Sequence, residues 1–182
     1  MQPEQKKVTF EEFMAMDRSD IRMEYFNGEI YYQASPSVAH QSIVTKLAVE
    51  LGLYFRGKEC QLFVAPLDII FQNEAEKHVS QPDLTIICDK KGFTENSYTG
   101  IPTIVIEVLS PSTSSIDYIT KMNIYMKFGV KEYWIVSPKN KTIEVFVLED
   151  GVYGEPIIYM INGIVKSTVF TDLEIDLANI FS

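Results

Sequence analysis

Residues 81–121 read QPDLTIICDKKGFTENSYTGIPTIVIEVLSPSTSSIDYITK, and the fold turns on this stretch. PDLTIICD and TIVIEVLS are nearly continuous apolar runs of strand length, rich in Ile and Val, as expected of strands covered on both faces. After Pro111 the hydroxyl-rich STSS can cap a helix predicted to run to about Phe128, with Gly129 as its left-handed stop. EYWIVSP follows as another strand, so the order strand, helix, strand predicts a crossover unit in a mixed α/β sheet. Two charges interrupt the apolar pattern: Asp83 stands early in the first run and Glu107 inside the second. An ionised carboxylate buried in a strand costs several kcal/mol unless a cation, a metal or hydrogen bonds offset its lost hydration. On the helix that follows, Asp117, Lys121 and Tyr125 are spaced four apart. They form one row at the border of the apolar arc, looking back toward the sheet.

Upstream, Thr9 and Glu12 fit a capping box opening a short helix from Phe10 to about Met16. RMEYF and EIYYQA flank Asn27-Gly28, the strongest short-range hairpin signal. A helix is predicted from Val38 to Phe55; its apolar arc includes Ile43, Val44, Leu47, Leu51 and Phe55 and turns His40 into the fold. QLFVAPLDIIF reads as one strand, with Asp68 either facing a pocket or ending a bend. Downstream, EYWIVSP and TIEVFVLED read as paired strands. VYGEPIIYMI and IVKSTVF, around Asn162-Gly163, read as another hairpin, with TDLEIDLANIF closing over an edge. No repeat, linker or low-complexity block divides residues 1–182, so one domain is expected.

A net charge of −9 and a pI near 4.7 argue against a general polyanion binder, because nonspecific nucleic-acid affinity comes largely from Lys and Arg neutralising phosphates. Nucleic-acid binding would need a local patch, such as Lys90 with Lys91, or Lys121, Lys127 and Lys131. No window reaches the roughly 18–20 apolar residues of a membrane span, and the N-terminus lacks a signal-peptide pattern. A cytoplasmic protein is expected. Cys60 and Cys88 lack the spacing of a zinc site and read as buried reduced thiols. His78 falls in a charged stretch and reads as exposed. SPSTSS is not read as a nucleophile, since no GxSxG elbow accompanies it.

Two carboxylates on neighbouring strands can share a hard cation such as Mg²⁺, which favours oxygen ligands and keeps several waters. A lysine beside them would orient water or balance transition-state charge. Here the sequence resembles the PD-(D/E)XK nuclease superfamily, through Pro82-Asp83 and Glu107. Leu109 stands where that motif has lysine, and Lys121, on the following helix, is the candidate replacement, as in some members. A longer resemblance runs through TFEEF, MEYFNGEIYYQASPSVAHQ, VAPLDI, QPDLTIICD, IEVLSPSTS and DYITKMNIYMKFGVKEYWIVSP. In these blocks the chain is similar to the Uma-type putative restriction endonuclease family.

That resemblance implies a restriction-endonuclease-like core, a mixed sheet with flanking helices and additional β-hairpins. It also implies hydrolysis of DNA phosphodiester bonds with Mg²⁺ or Mn²⁺, and a homodimer. By position it makes Asp83, Glu107 and the backbone carbonyl of Val108 metal ligands and Lys121 the displaced lysine. Glu24 and His40 would border the same pocket, Asp117 would orient Lys121, and Tyr125 shares its row. The rival readings are structural: Glu24 on a solvent face, His40 as a hydrogen-bonded core histidine, and Lys121 in a surface pair with Asp117. In function the rival is a catalytically silent homodimeric or regulatory module, which the acidic pI favours. The observation that separates the readings is whether both acids and the Lys121 amine lie within about 5 Å of a common point, where charges couple.

Overall fold

The computed structural model of the chain describes residues 7–18, 21–110 and 115–182. A short helix, α1 (Phe10–Met14), precedes the hairpin β1 (Met23–Phe26) and β2 (Glu29–Tyr32) and the long helix α2 (Val38–Phe55). Six strands follow: β3 (Gln61–Val64), β4 (Asp68–Gln72), β5 (Lys77–Ser80), β6 (Leu84–Ile87), β7 (Ser97–Thr99) and β8 (Ile104–Val108). A π-helical turn, Ile116–Lys121, leads into α3 (Met122–Phe128). Strands β9 (Glu132–Ser137), β10 (Thr142–Glu149), β11 (Val152–Tyr153), β12 (Ile157–Met160), β13 (Ile164–Lys166) and β14 (Glu174–Asp176) precede the closing helix α4 (Leu177–Phe181).

The strands form a five-stranded sheet, β2-β1-β5-β4-β7, and a seven-stranded sheet, β11-β10-β9-β8-β6-β3 with β12 also on β10, while β13 and β14 pair apart. Most pairs are antiparallel; β8 with β9 and β4 with β7 are parallel. The β8–β9 pair is the expected crossover, closed by Gly129 at φ 92°. Alternation along the strands sets the layers. Ile104, Ile106 and Val108 of β8 pack with Leu47, Leu51 and Phe55 of α2, whereas Val105 faces Tyr125 of α3 together with Phe26, Ile69 and Phe71 of the smaller sheet. On that smaller sheet, Met23, Tyr25, Ile70 and Val79 turn the other way, onto Phe13 of α1. Period-two alternation therefore points Glu107 into the space between the two sheets, and Glu24 into it from the opposite side.

Local chemistry fixes the ends. Thr9 Oγ1 accepts from the Glu12 N–H at 3.1 Å while Glu12 Oε2 accepts from the Thr9 N–H at 2.8 Å, the reciprocal capping box. Ser37 Oγ accepts from the His40 N–H at 3.2 Å and starts α2 at its expected residue. Asn27 and Gly28 take φ of 47° and 104°, as a primed hairpin turn requires.

Several expectations are corrected. QLFVAPLDIIF is not one strand: it breaks around Pro66, which has no N–H for a ladder, into β3 of the larger sheet and β4 of the smaller. Asn162-Gly163 does not close a hairpin. Neither residue takes a positive φ; β12 pairs with β10, and β13 with β14. The C-terminal segment lies on α2, through Leu177, Ile180 and Phe181, where an edge cover was expected. His78 is not exposed: an Asx turn at Asn73 returns the chain from β4 into β5, leaving His78 5% exposed near the Phe26 and Phe128 rings. Cys60 and Cys88 are not reduced thiols but a disulfide. The antiparallel register that sets Gln61 against Ile87 brings these two residues opposite each other on the next rung. The STSS cap falls largely on residues outside those described; Ser115 makes no side-chain capping bond.

Candidate active site

Five of the seven side chains singled out from sequence meet around the Lys121 amine. Lys121 Nζ lies 2.9 Å from Glu107 Oε1, 3.1 Å from Glu24 Oε2 and 3.4 Å from Asp117 Oδ1. Tyr125 Oη donates to the same Glu107 Oε1 at 3.0 Å. Lys121 is 2% exposed, so it is a buried centre of charge and not half of a surface pair. The other two residues adjoin through the backbone of β8. Asp83 Oδ2 accepts from the Val108 N–H at 2.9 Å and contacts His40 Nε2 at 3.1 Å. Asp83, Glu107, Asp117, Lys121 and His40 line a cavity of about 160 Å³.

Each position follows from local structure. β8 places Glu107 on the face opposite α2 and leaves the Val108 N–H at the strand end for Asp83. The Ser37 cap sets the first turn of α2 so that His40 reaches Asp83. The π-helical turn aligns Asp117 with Lys121, and α3 carries the row on to Tyr125. Wide turns of this kind recur at functional sites. Among the side chains that sequence reasoning missed, Ser80 is fully buried and donates to Glu24 Oε1 at 2.8 Å while contacting Tyr125 Oη at 2.8 Å. The Gln81 N–H donates to Glu24 Oε1 at 2.7 Å, and Arg22 lines the cavity. The only signal for Ser80 and Gln81 was their place just before Pro82-Asp83. Asp68, left open between pocket and bend, belongs to a neighbouring cleft with Arg18 and Gln81.

The electrostatics are lopsided. Glu24, Glu107 and Asp117 are buried around one ammonium, and Asp83 is buried in the same cavity wall as Glu107. Burial, with Asp117, Asp83 and Glu24 adding to it against the pull of Lys121, holds the Glu107 carboxyl well above the usual range. Burial also works against a charged Lys121, but Glu107, Glu24 and Asp117 outweigh it and raise the ammonium well above its ordinary value. For Glu24 the burial penalty is likewise outweighed, by Lys121, the Gln81 N–H and neighbouring side chains, so its pKa is lowered. Burial and the two glutamates push the Tyr125 phenol up, keeping it a hydrogen-bond donor.

The donor set suits a hard divalent cation. Among the described residues the hydrogen bonds to Asp83 and Glu107 fall on Oδ2 and Oε1, which leaves Oδ1 and Oε2 as the oxygens each could offer a cation. A divalent charge would also offset the excess of buried carboxylate over ammonium. Among the described residues no three His, Cys, Asp or Glu side chains form a ready-made metal cage.

Comparisons with known proteins agree with this fold. The crystal structure titled as a putative nuclease belonging to DUF820 from Anabaena variabilis superposes with a TM-score of 0.80, covering 96% of this chain and 97% of that one at 20% identity. The likeness is one of fold. The uncharacterized protein slr1290 of Synechocystis sp. is 27% identical over 146 residues, which are 79% of this chain and 76% of that protein. Among the described residues no helix is long and apolar enough to cross a membrane. A family model described as "Putative restriction endonuclease" matches residues 10–178, and the chain therefore belongs to the Uma2 family.

Proposed function

We propose that this chain is a divalent-metal-dependent endonuclease that hydrolyses phosphodiester bonds in DNA. The observation that carries the reading is the junction of Glu107, Asp83 and Lys121 in one cavity, with Lys121 Nζ 2.9 Å from Glu107 Oε1. Asp83, Glu107 and the Val108 carbonyl would hold Mg²⁺ or Mn²⁺, which when bound polarises phosphoryl oxygen and lowers the pKa of water. The protein's own groups do the rest. His40 and the Val108 N–H fix the orientation of Asp83. Glu24, anchored by Ser80 and Gln81, keeps Lys121 charged and in place. The contact to Asp117, the longest of the three at 3.4 Å, is the one whose release turns an N–H of Lys121 toward attacking water or developing negative charge. Tyr125 limits Glu107 to one orientation.

The test is cleavage of supercoiled, linear and single-stranded DNA by purified protein with Mg²⁺ or Mn²⁺, beside Asp83→Asn and Lys121→Met. Activity that depends on the ion and is lost in both variants supports the reading. Undiminished activity in both variants overturns it.

A second reading is favoured by the net charge of −9: a catalytically silent homodimeric or regulatory module that keeps the nuclease fold. Divalent binding in the cavity without cleavage of any DNA form would support it.

A further inference from the structure

A nuclease of this composition must draw a polyanion toward a cavity walled by buried carboxylates. Lys121 cannot do this by itself, because three carboxylates surround it and it is 2% exposed. Arg22 is placed differently. It lines the 160 Å³ cavity with Asp83 and Glu107, and it also lines the adjoining cleft of about 330 Å³ with Arg18, Asp68 and Asn96. Its guanidinium donates to neutral partners: Nε to Gln81 Oε1 and Nη2 to the Gln81 carbonyl, each at 3.2 Å. Arg18, by contrast, meets the Asp68 carboxylate at 2.8 Å, so much of its charge is already balanced.

Gln81 also fixes where Arg22 sits. Its N–H holds Glu24, its Nε2 donates to Asp68 Oδ1 at 2.7 Å, and it stands two residues before Asp83. The guanidinium is thereby held in register with the acids. A guanidinium has five N–H donors in a fork that matches phosphate oxygens, and Gln81 occupies two of them.

We propose that Arg22 is a substrate-binding residue that grips a backbone phosphate of the DNA strand adjacent to the scissile one, where the strand passes from the cavity into the cleft. The inference rests on the nuclease reading and gives it a substrate requirement: a chain of phosphates is preferred over an isolated phosphodiester.

Binding of a fluorescein-labelled 16-mer DNA, followed by anisotropy with Ca²⁺ between 50 and 200 mM salt, tests it. Arg22→Gln is expected to weaken binding about tenfold or more and to reduce the salt slope by roughly 0.7–0.9, the loss of one phosphate contact. Arg22→Lys keeps the charge and is expected to keep the slope while losing affinity through the missing fork. Cleavage of DNA is expected to fall further in Arg22→Gln than hydrolysis of bis(4-nitrophenyl) phosphate, which has one phosphate. Unchanged affinity and slope in Arg22→Gln overturn the proposal, as does a wild type that does not bind DNA. If Arg22→Gln does not fold, Arg22→Lys decides: weaker binding on an unchanged slope supports the proposal, and unchanged affinity overturns it. An Arg22-dependent salt slope in a protein that hydrolyses neither substrate supports the phosphate contact and refutes the nuclease reading.

Discussion

Lys121 is the residue on which the buried charges converge. Removing one partner of a buried ion pair leaves the others uncompensated, at a cost of roughly 3–5 kcal/mol. Lys121→Met is expected to lose stability in that range by urea denaturation at neutral pH. Glu107→Gln in the same chain is expected to restore part of the loss, so the double-mutant cycle should show strong coupling. Additive effects would mean that the two side chains act independently. His78 gives a separate test by pH. Burial, aided by Lys127 and opposed by Glu76, lowers its pKa below 6.5. The unfolded chain then takes up a proton more readily than the folded one. The stability contributed by neutral His78 is present above about pH 6.5 and lost as pH falls through its depressed folded value. Thermal melts from pH 8 to pH 5 should show wild type losing more stability than His78→Gln over that window, and parallel curves would contradict this.

Among the elements, α2 and the edges of the central strands hold the site together. Leu51 is fully buried among Leu84, Ile106 and Phe181, so Leu51→Ala is expected to cost about 2–5 kcal/mol in equilibrium unfolding. A smaller loss would show that the layer relaxes into the space. The extent of α2 was legible because its apolar arc and the Ser37 cap are local signals. Asn27-Gly28 was legible for the same reason. The identical dipeptide at Asn162-Gly163 misled, since β12 and β13 find longer-range partners in β10 and β14. The acids were legible because carboxylates in apolar runs break the pattern. Ser80 and Gln81 were not, because polar residues at a strand end are ordinary until β1 is brought beside β5 and Glu24 reaches them. Pairing of Cys60 with Cys88 likewise needed the β3–β6 register, which composition does not contain.

At the scale of the whole molecule, the disulfide closes a 28-residue separation across the rim of the larger sheet. By loop entropy such a link is worth about 3–4 kcal/mol. Thiol titration of unfolded protein is therefore expected to find no free cysteine until reductant is added, and reduction should lower the melting temperature. Two titratable thiols without reductant would contradict the pairing. The net charge of −9 also means that any affinity for DNA arises locally, around the cavity, and not from the surface as a whole. We take Asp83 and Glu107, with Lys121 beside Glu107, as a metal-dependent hydrolytic centre. Its most direct test is the single-turnover rate of DNA cleavage by wild type and Glu107→Ala, each with Mg²⁺ or Mn²⁺ and with EDTA. Cleavage by wild type that vanishes in EDTA and falls at least about a hundredfold in the variant is the expected result; equal rates for the two proteins, or cleavage that persists in EDTA, would contradict it.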